Sequence, residues 1–327
     1  MTTLPVAVLL PCHNEGLSIG GVVRAFRDAL PEATVFVFDN NSTDDTASRA
    51  RDAGAIVRTE RQQGKGHVVR RMFRDIDADY YVMADGDDTY DASLAPALLT
   101  LARSGPYDLV NCVRLANDDE AYRGGHRFGN QMLTGAVRLI FGDRVQDILS
   151  GYKVLSYRFV KSFPALSTGF DIETELAVHA LELSIPIAHV EGSYRGRPPG
   201  SSSKLRTYRD GWRILMMILK LVRHERPLAY FGVLGIGCVA LALVLIVPVL
   251  LTYVNTGLVP RLPTAVLATG IVLVGALSLT TGIILDTVTR GRREVRLLAY
   301  LGQRAPPSLD EPARAPTHAA RRGEPIR

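Results

Sequence analysis

The sequence has little cysteine, and its cysteines are far apart. Cys12, Cys112 and Cys238 are the three in the chain, and no Cys-x-x-Cys pair occurs. This pattern argues against a disulfide framework and against a zinc site, and it is typical of a protein in a reducing compartment. Residues 1–10 also lack the basic start and the long apolar region of a secretory signal peptide.

Two common phosphate-binding motifs are missing as well. No Gly-x-Gly-x-x-Gly follows the first apolar run, and no Gly-Lys-Ser/Thr occurs, which argues against a dehydrogenase and against a P-loop NTPase. The histidines His13, His67 and His126 do not have the spacing of metal ligands. The net charge of +5 is small. Its basic residues flank two apolar segments, so no nucleic-acid partner is predicted.

Two long apolar runs are present instead. Residues 228–254 and 262–285 contain no charged side chain, and each exceeds the roughly 20 residues that a transmembrane helix needs. We therefore predict a two-helix membrane region over 227–290. Basic residues precede the first run and follow the second, whereas the linker carries only Arg261. The positive-inside rule then predicts a multi-pass protein of the cytoplasmic (inner) membrane, with the N-terminal region and the C-terminal tail in the cytoplasm.

The segments next to these runs have different patterns. Residues 206–226 carry an apolar stripe flanked by basic side chains, which predicts an amphipathic helix in the membrane interface. An ordinary packing helix fits the same stripe. Residues 291–327 are rich in alanine, proline and arginine, and we predict a disordered cytoplasmic tail there.

Residues 1–205 alternate short apolar runs with segments of helical periodicity. The predicted strands are 6–10, 34–38, 55–59, 80–84, 108–114 and 185–190. Ser42 and Asp45 have capping-box spacing for the second helix, whereas 148–157 is left unassigned. The alternation predicts an α/β domain with a mostly parallel sheet and helices on both faces.

The run at 80–90 combines a buried strand with a cluster of carboxylates. Asp85 and Asp87 follow the apolar residues 80–84, at the carboxyl end of a strand, where open α/β sheets bind ligands. Carboxylates this close repel each other unless a cation lies between them. Mg²⁺ or Mn²⁺, shared with substrate phosphates, is the usual cation. For an isolated pair, a solvated acidic turn is the alternative.

Other polar loops also follow predicted strands. The four loops are 11–15, 39–44, 63–66 and 85–87, and in a doubly wound sheet they converge on one crevice. There Asp39 can accept hydrogen bonds from a ribose or a base, and Lys65 offers a cation. Gly64 and Gly66 allow the backbone to approach a planar base. Together the loops indicate a sugar-nucleotide site.

The successive motifs resemble those of family 2 glycosyltransferases with the GT-A fold. They are Pro-Cys-His-Asn-Glu at 11–15, Asp-Asn-Asn-Ser-Thr-Asp at 39–44, Gln-Gly-Lys-Gly at 63–66 and Asp-Gly-Asp at 85–87. The run from Arg197 to Lys204 is similar to a loop of polyprenyl-phosphate glycosyltransferases, including dolichyl-phosphate mannose synthases. It is one residue longer than that loop, so the alignment of its serines stays open. The likeness covers residues 1–225.

The resemblance implies a donor site for a nucleotide-diphosphate sugar and a site for Mg²⁺ or Mn²⁺. The metal ligands implied are Asp85 and Asp87. The donor-binding residues implied are Pro11, Asn14, Glu15, Asp39, Asn41, Lys65, Gly66, Asp85 and Gly86.

The acceptor that the resemblance implies is a polyprenyl phosphate at the surface of a lipid bilayer. Such a phosphate is largely dianionic at neutral pH, so the enzyme needs cations more than a strong general base. The catalytic residues implied are Asp87, Arg114, Arg127, Arg197 and Lys204. The acceptor-phosphate residues implied are Arg114, Arg123, Arg127 and Ser203. Asp147 and Glu173 are further candidates.

The implied reaction is the inverting transfer of a hexose, from a UDP-sugar or from GDP-mannose, for cell-envelope glycan or glycoconjugate synthesis. A processive polysaccharide synthase of the same fold is one alternative, although the Gln-x-x-Arg-Trp motif of such enzymes is absent and the single tryptophan is Trp212. A non-catalytic membrane scaffold or flippase partner is another, and the intact Asp85 and Asp87 argue against it. The sugar and the base stay open, and so does a homo-oligomeric state.

Overall fold

The computed structural model describes residues 4–116, 146–167, 172–195 and 218–307, together with positions 135, 169 and 216. The chain divides into two compact units, which are described separately. The first unit contains the described residues up to 116, those from 146 to 195, and 300–307. The second contains 218–299 and positions 135 and 216.

The first unit is built on a seven-stranded sheet. Its strands are β1 Leu4–Cys12, β2 Thr34–Asp39, β3 Ile56–Thr59, β4 Ala78–Met83, β5 Leu109–Ala116, β6 Lys153–Ser156 and β7 Ile187–Tyr194. Their order in the sheet is β3-β2-β1-β4-β6-β5-β7. The pairings of β6 are antiparallel and the other described pairings are parallel. The predicted mostly parallel α/β sheet is confirmed.

Helices cover both faces of this sheet. They are α1 Ile19–Ala29, α2 Thr46–Asp52, α3 Lys65–Asp75, α4 Ala95–Ser104, α5 Tyr157–Ser162 and α6 Ile172–Glu182. Val6, Val8 and Leu10 of β1 pack on the face that α1, α2 and α4 cover. Ala7 and Leu9 pack on the opposite face, against α3 and α6. Both faces of the central strands are therefore buried, which explains their almost continuous apolar sequences.

The strand register places the predicted loops at one edge of the sheet. Cys12 is paired with Asp39, and Asp39 is paired with Thr59. Leu9 is paired with Met83, the last residue of β4. Because the paired strands are parallel, their carboxyl ends lie side by side, and the loops that follow them start close together.

Two local predictions differ from the structure. The unassigned residues include β6, which lies between β4 and β5, with Lys153 paired to both Met83 and Asn111. The capping box was wrong, because α2 begins at Thr46 and the Asp45 side chain makes no capping hydrogen bond. The hydroxyl of Ser42 instead accepts a hydrogen bond from the backbone of another loop.

The second unit contains the long apolar helix α7 Pro227–Thr256 and, up to residue 299, the long apolar helix α8 Leu262–Leu301. By length and composition both can cross a membrane, and only 17% and 11% of their most apolar windows are buried. Of the predicted interfacial helix, position 216 and residues 218–225 are helical; its other residues lie outside the described part.

The predicted tail begins later than expected. Residues 291–301 form the end of α8, so the expectation of disorder over that stretch was wrong. Residues 302–307 follow the helix as part of the first unit. The remainder of the predicted tail, 308–327, lies outside the described residues.

Candidate functional site

Asn40 connects the second polar loop to the first and the third. Its Nδ2 donates to the backbone oxygens of Glu60 at 3.0 Å and Gln62 at 2.7 Å. Its Oδ1 accepts from the backbone N–H of Gly64 at 2.7 Å, and its own N–H donates to the oxygen of Cys12 at 2.8 Å. A buried amide that satisfies several backbone groups holds these loops in one arrangement. The sequence placed Asn40 in a motif but gave no hint of this role.

Asn14 and Glu15, predicted to bind the donor, lie where the first loop meets the second. The N–H of Asn14 donates to Ser42 Oγ at 2.9 Å, and its Oδ1 accepts from the N–H of Thr43 at 2.7 Å. The N–H of Glu15 donates to Thr46 Oγ1 at 2.9 Å. The amide oxygen of Asn14 therefore contributes to loop geometry.

Asp39 and Asn41 lie in the second loop, directly after β2. Asp39 is buried, and its Oδ1 accepts from the N–H of Ser42 at 3.3 Å. Asn41 has a φ of 57°, a left-handed conformation that asparagine tolerates better than most residues. Its Nδ2 donates to the backbone oxygen of Arg61 at 2.6 Å. Pro11 is partly exposed at the end of β1.

Lys65 lies between two carboxylates that come from distant parts of the chain. Its Nζ is 2.5 Å from Asp85 Oδ1, and it also forms an ion pair with Glu173 Oε1. Burial alone would lower the pKa of Lys65, but the two carboxylates raise it above its usual value overall. Lys65 is therefore a charged ammonium at neutral pH. Gly66, its neighbour, is buried in the first turn of α3.

Asp87 and Gly86 are held tightly in the acidic loop. Asp87 is 4% exposed, and its Oδ1 accepts from Thr89 Oγ1 at 2.6 Å. A Cβ added at Gly86 would lie 2.4 Å from Cys12 Sγ, so only glycine fits between the two carboxylates. The hydroxyl of Ser18 donates to the Gly86 oxygen at 2.8 Å. The first loop and α1 thus fix the backbone that presents Asp85 and Asp87.

Gly151 contacts the other side of Asp85. A Cβ at Gly151 would lie 2.3 Å from Asp85 Oδ2. The N–H of Gly151 donates to Tyr90 Oη at 2.7 Å, and Tyr90 is buried. Gly151 lies in the segment that was left unassigned from the sequence. A glycine shortly before a buried strand was the available signal.

Arg114, predicted to bind the acceptor phosphate, has an internal partner. Its Nε and Nη2 each lie 2.7 Å from a carboxylate oxygen of Asp147, which also accepts from the Arg114 N–H. Burial raises the pKa of Asp147, but the contacts with Arg114 lower it by more, so the pKa lies below its usual value. The carboxylate therefore stays ionised. The guanidinium also lies 5.3 Å from the centre of the Tyr194 ring. No local pattern in the sequence indicates this pairing through two nitrogens, because Arg114 and Asp147 are 33 positions apart.

Lys153 is a second buried cation that sequence analysis missed. It is 1% exposed, and its Nζ donates to Asn111 Oδ1 at 2.6 Å. Burial lowers the pKa of Lys153 to about 8, although the charges of Asp147 and Glu173 oppose this shift. Asn111 in turn donates to the backbone oxygens of Gln146 and Asp147. Lys153 thus connects the core of the sheet to the 146–151 segment.

Five of the predicted catalytic and acceptor-phosphate residues are not among the described residues. Arg123, Arg127, Arg197, Ser203 and Lys204 lie outside the described part of the chain. Within that part, no group of three or more histidine, cysteine, aspartate or glutamate side chains could hold a metal ion. Among the described residues, Asp85 and Asp87 are thus not part of a cluster of three or more such ligands.

The sequence is similar to those of known glycosyltransferases. The family described as Glycosyl transferase family 2 matches residues 7–160. Glycosyltransferase AglJ of Haloferax volcanii is 35% identical over 291 residues, which are 88% of this chain and 95% of that protein. The dolichyl-phosphate hexose transferase of the same organism is 28% identical over 222 residues, 68% of this chain and 95% of that protein.

Solved structures with the same fold include glucosyl-3-phosphoglycerate synthase from Mycobacterium tuberculosis. Its complex with Mn²⁺, UDP and phosphoglyceric acid has a TM-score of 0.55 and 22% identity, and the match covers 67% of this chain and 77% of that one. Its complex with Mg²⁺ and UDP has the same TM-score, at 24% identity, over 67% and 78%. This likeness establishes the GT-A fold.

Proposed function

Because this chain belongs to glycosyl transferase family 2, we propose that it transfers a hexose from a nucleotide-diphosphate sugar to a polyprenyl phosphate. The observation that supports this most strongly is the edge of the sheet where four polar loops meet around Asp85 and Asp87, in a chain that also has two long, largely unburied apolar helices. The dolichyl-phosphate hexose transferase of H. volcanii, a relative over 68% of the chain, supports a lipid phosphate as the acceptor.

Asp85 and Asp87 have the chemistry of a site for Mg²⁺ or Mn²⁺ that is shared with a diphosphate. Mg²⁺ is usually bound by one or two carboxylates together with substrate phosphates, and the described residues offer no third carboxylate, histidine or cysteine. The ammonium of Lys65 on Asp85 shows that a cation fits beside this carboxylate. When bound, the metal ion would offset the negative charge of the leaving diphosphate.

The other loops would bind the nucleoside. Asp39 is a buried acceptor at the carboxyl end of β2, where it is paired with Cys12 of β1, and this position suits a ribose hydroxyl or a base edge. We favour a UDP-sugar, since related folds have been solved with UDP, and GDP-mannose is the other donor to test.

The acceptor phosphate would be the nucleophile. One of its oxygens attacks C1 of the hexose, the bond from C1 to the diphosphate breaks, and the configuration inverts. A phosphate dianion needs no strong base, so the protein must chiefly hold two anions together. Arg114 is one candidate for this, with its orientation fixed by Asp147. The others are Arg123, Arg127, Arg197, Ser203 and Lys204.

The apolar helices would keep the enzyme at its substrate. Most of the apolar side chains of α7 and α8 are not buried in the protein, which suits contact with lipid. A long polyprenyl chain leaves the bilayer only at great cost, about 0.8 kcal/mol for each CH₂. The enzyme must therefore act at the membrane surface. The basic residues around the spans favour the cytoplasmic surface of the inner membrane.

The test is the transfer of radiolabelled sugar into lipid. The purified full chain would be incubated with polyprenyl phosphate, Mg²⁺ or Mn²⁺ and labelled UDP-glucose, UDP-N-acetylhexosamines or GDP-mannose. We expect a lipid product that EDTA and Asp87→Asn abolish. Asp28→Asn, an exposed carboxylate on α1, should leave it intact. A water-soluble labelled polymer would favour the processive synthase. If wild type and Asp87→Asn give the same background label with every donor, the result would favour the non-catalytic scaffold.

A further inference from the structure

The two carboxylate partners of Lys65 differ in burial. The side chains of Lys65 and Glu173 are 10% and 6% exposed, whereas that of Asp85 is 30% exposed. Asp85 follows β4 at the open edge of the sheet, and Glu173 lies in the first turn of α6. One end of this ion-pair chain therefore faces the donor site, and the other lies inside the domain.

This difference decides which pair can break. A buried carboxylate without a partner is strongly destabilising, so Glu173 must keep a cation nearby. Lys153 contributes attractive charge, but its ammonium is hydrogen-bonded to Asn111. Lys65 is thus the cation that directly contacts Glu173. The more exposed contact, between Lys65 and Asp85, is the one that a ligand can replace at lower cost.

The charges of these side chains are compensated differently with and without a divalent cation. Asp85 and Asp87 carry two negative charges, which one divalent cation offsets, and Lys65 with Glu173 is then a neutral pair. Without a divalent cation, Lys65 is shared between Asp85 and Glu173. In both states the buried Glu173 has the ammonium of Lys65 beside it, and Asp87 accepts a hydrogen bond from Thr89.

We propose that Lys65 is an internal counter-ion that occupies the place of the metal ion at Asp85. Glu173 is the positioning residue, which holds Lys65 by its ion pair when Asp85 binds the metal ion. The inference rests on the proposed metal-dependent donor site. It assigns Lys65 a competing role toward the metal ion, and Glu173 a role that acts only through Lys65.

The test is direct Mn²⁺ binding by the full chain in detergent, measured by electron paramagnetic resonance without nucleotide. Lys65→Met removes the competitor, so Mn²⁺ should bind several-fold tighter than to wild type. Glu173→Gln leaves Asp85 as the one carboxylate that pairs with Lys65 among the described residues, so Mn²⁺ should bind several-fold more weakly. Glu175→Gln, on the same helix, is the matched control and should bind Mn²⁺ like wild type.

The double variant separates positioning from a merely structural effect. In Lys65→Met/Glu173→Gln, Mn²⁺ should bind as tightly as in Lys65→Met, because Glu173 has nothing left to position. Equal weakening by Glu173→Gln in both backgrounds would overturn the proposal, and so would weaker Mn²⁺ binding by Lys65→Met. If Glu173→Gln does not fold, the comparison of Lys65→Met with Lys65→Arg tests the counter-ion role. The arginine variant keeps the cation and should bind Mn²⁺ no tighter than wild type.

These outcomes are distinguishable from failure of the proposed function. If the wild type transfers sugar and binds Mn²⁺ but the variants bind it equally, the counter-ion role alone is wrong. If Mn²⁺ binding follows the expected pattern and no sugar is transferred, the counter-ion role stands and the proposed reaction is wrong. If the wild type binds no Mn²⁺ with or without UDP, both are wrong.

Discussion

The hydroxyl of Tyr300 donates a hydrogen bond to Asp108 Oδ2 at 2.6 Å, across 192 positions of the sequence. Asp108 is 1% exposed and also accepts from Nε and Nη2 of Arg158, at 2.7 and 2.6 Å. The guanidinium of Arg158 lies 4.9 Å from the centre of the Tyr300 ring. The end of α8 is thus attached to the cluster that joins β5 to α5.

The residues that follow Tyr300 continue this attachment. Arg304 forms an ion pair with Asp79 at 2.7 Å and lies 4.2 Å from the centre of the Tyr157 ring. The hydroxyl of Tyr80 donates to the backbone oxygen of Pro307 at 2.9 Å. Residues 300–307 are therefore a structural part of the sheet unit.

Removing either member of the Tyr300–Asp108 pair should destabilise the protein. Tyr300→Phe should cost about 1.5 kcal/mol, and Asp108→Asn, which also weakens the Arg158 contact, about 2 kcal/mol or more. Because the residues share one interaction, the double variant should lose less than the sum. Thermal unfolding of the full chain in detergent would measure this. Tyr253→Phe, at an exposed tyrosine, is the control. Strict additivity would contradict the pairing.

The sequence was sufficient to predict the sheet and the four loops, because apolar runs and strand ends are local patterns. It was insufficient for β6, since Lys153 interrupts its apolar run and the compensating Asn111 is distant in sequence. The end of α8 was missed because residues 291–327 as a whole are rich in alanine, proline and arginine, and because the contact of Tyr300 with Asp108 is long-range.

The residues of the candidate site also differ in how far the sequence predicts their surroundings. The position of Asp85 and Asp87 just after β4 was predictable, because they follow a local apolar run. The partners of Lys65 and Arg114 were not, because Glu173 and Asp147 reach them only through the tertiary fold. The family resemblance implied that Arg114 binds phosphate, and no local pattern in the sequence indicates that the Asp147 carboxylate pairs with it.

Gly151→Ala should impair the donor site without unfolding the domain. The new Cβ would lie 2.3 Å from Asp85 Oδ2, so the carboxylate must shift from its position beside Lys65. We expect at least tenfold weaker Mn²⁺-dependent UDP binding by calorimetry, which corresponds to about 1.4 kcal/mol. Gly21→Ala, where a Cβ contacts nothing within 4 Å, should bind like wild type. Unchanged binding by Gly151→Ala would show that Asp85 has room to adjust.

Lys153 should make stability depend on pH in the mildly alkaline range. Below about pH 8 the lysine is protonated in both the folded and the unfolded state, so the cost of burying its charge is fully present. Between about 8 and the ordinary lysine pKa of about 10.4, only the unfolded state stays protonated, and the free energy of unfolding rises with pH. This contribution is on the order of 3 kcal/mol.

Lys153→Met isolates that contribution, since other groups also titrate in this range. The difference in unfolding temperature between wild type and variant should move in favour of the wild type as the pH rises from 7.5 to 9.5, by an amount of a few degrees. Parallel pH profiles for the two proteins would mean that the buried ammonium is not destabilised.

The crossing of α7 and α8 depends on Gly235 and Gly275. A Cβ at Gly235 would lie 3.0 Å from the Gly275 backbone oxygen, and one at Gly275 would lie 3.1 Å from the Gly235 oxygen and from Cys238 Cβ. Small residues allow this close backbone approach, which is a main source of helix association in membranes.

Gly235→Leu should therefore separate the helices and cost about 1–3 kcal/mol, seen as a lower unfolding temperature by circular dichroism in detergent. Gly237→Leu is the matched control, because it lies on the same helix and a Cβ there contacts nothing within 4 Å. It adds the same apolar side chain and the same gain in helix propensity. A loss of stability in Gly235→Leu alone would come from the close contact, whereas equal effects of the two changes would show that the crossing contributes nothing to stability.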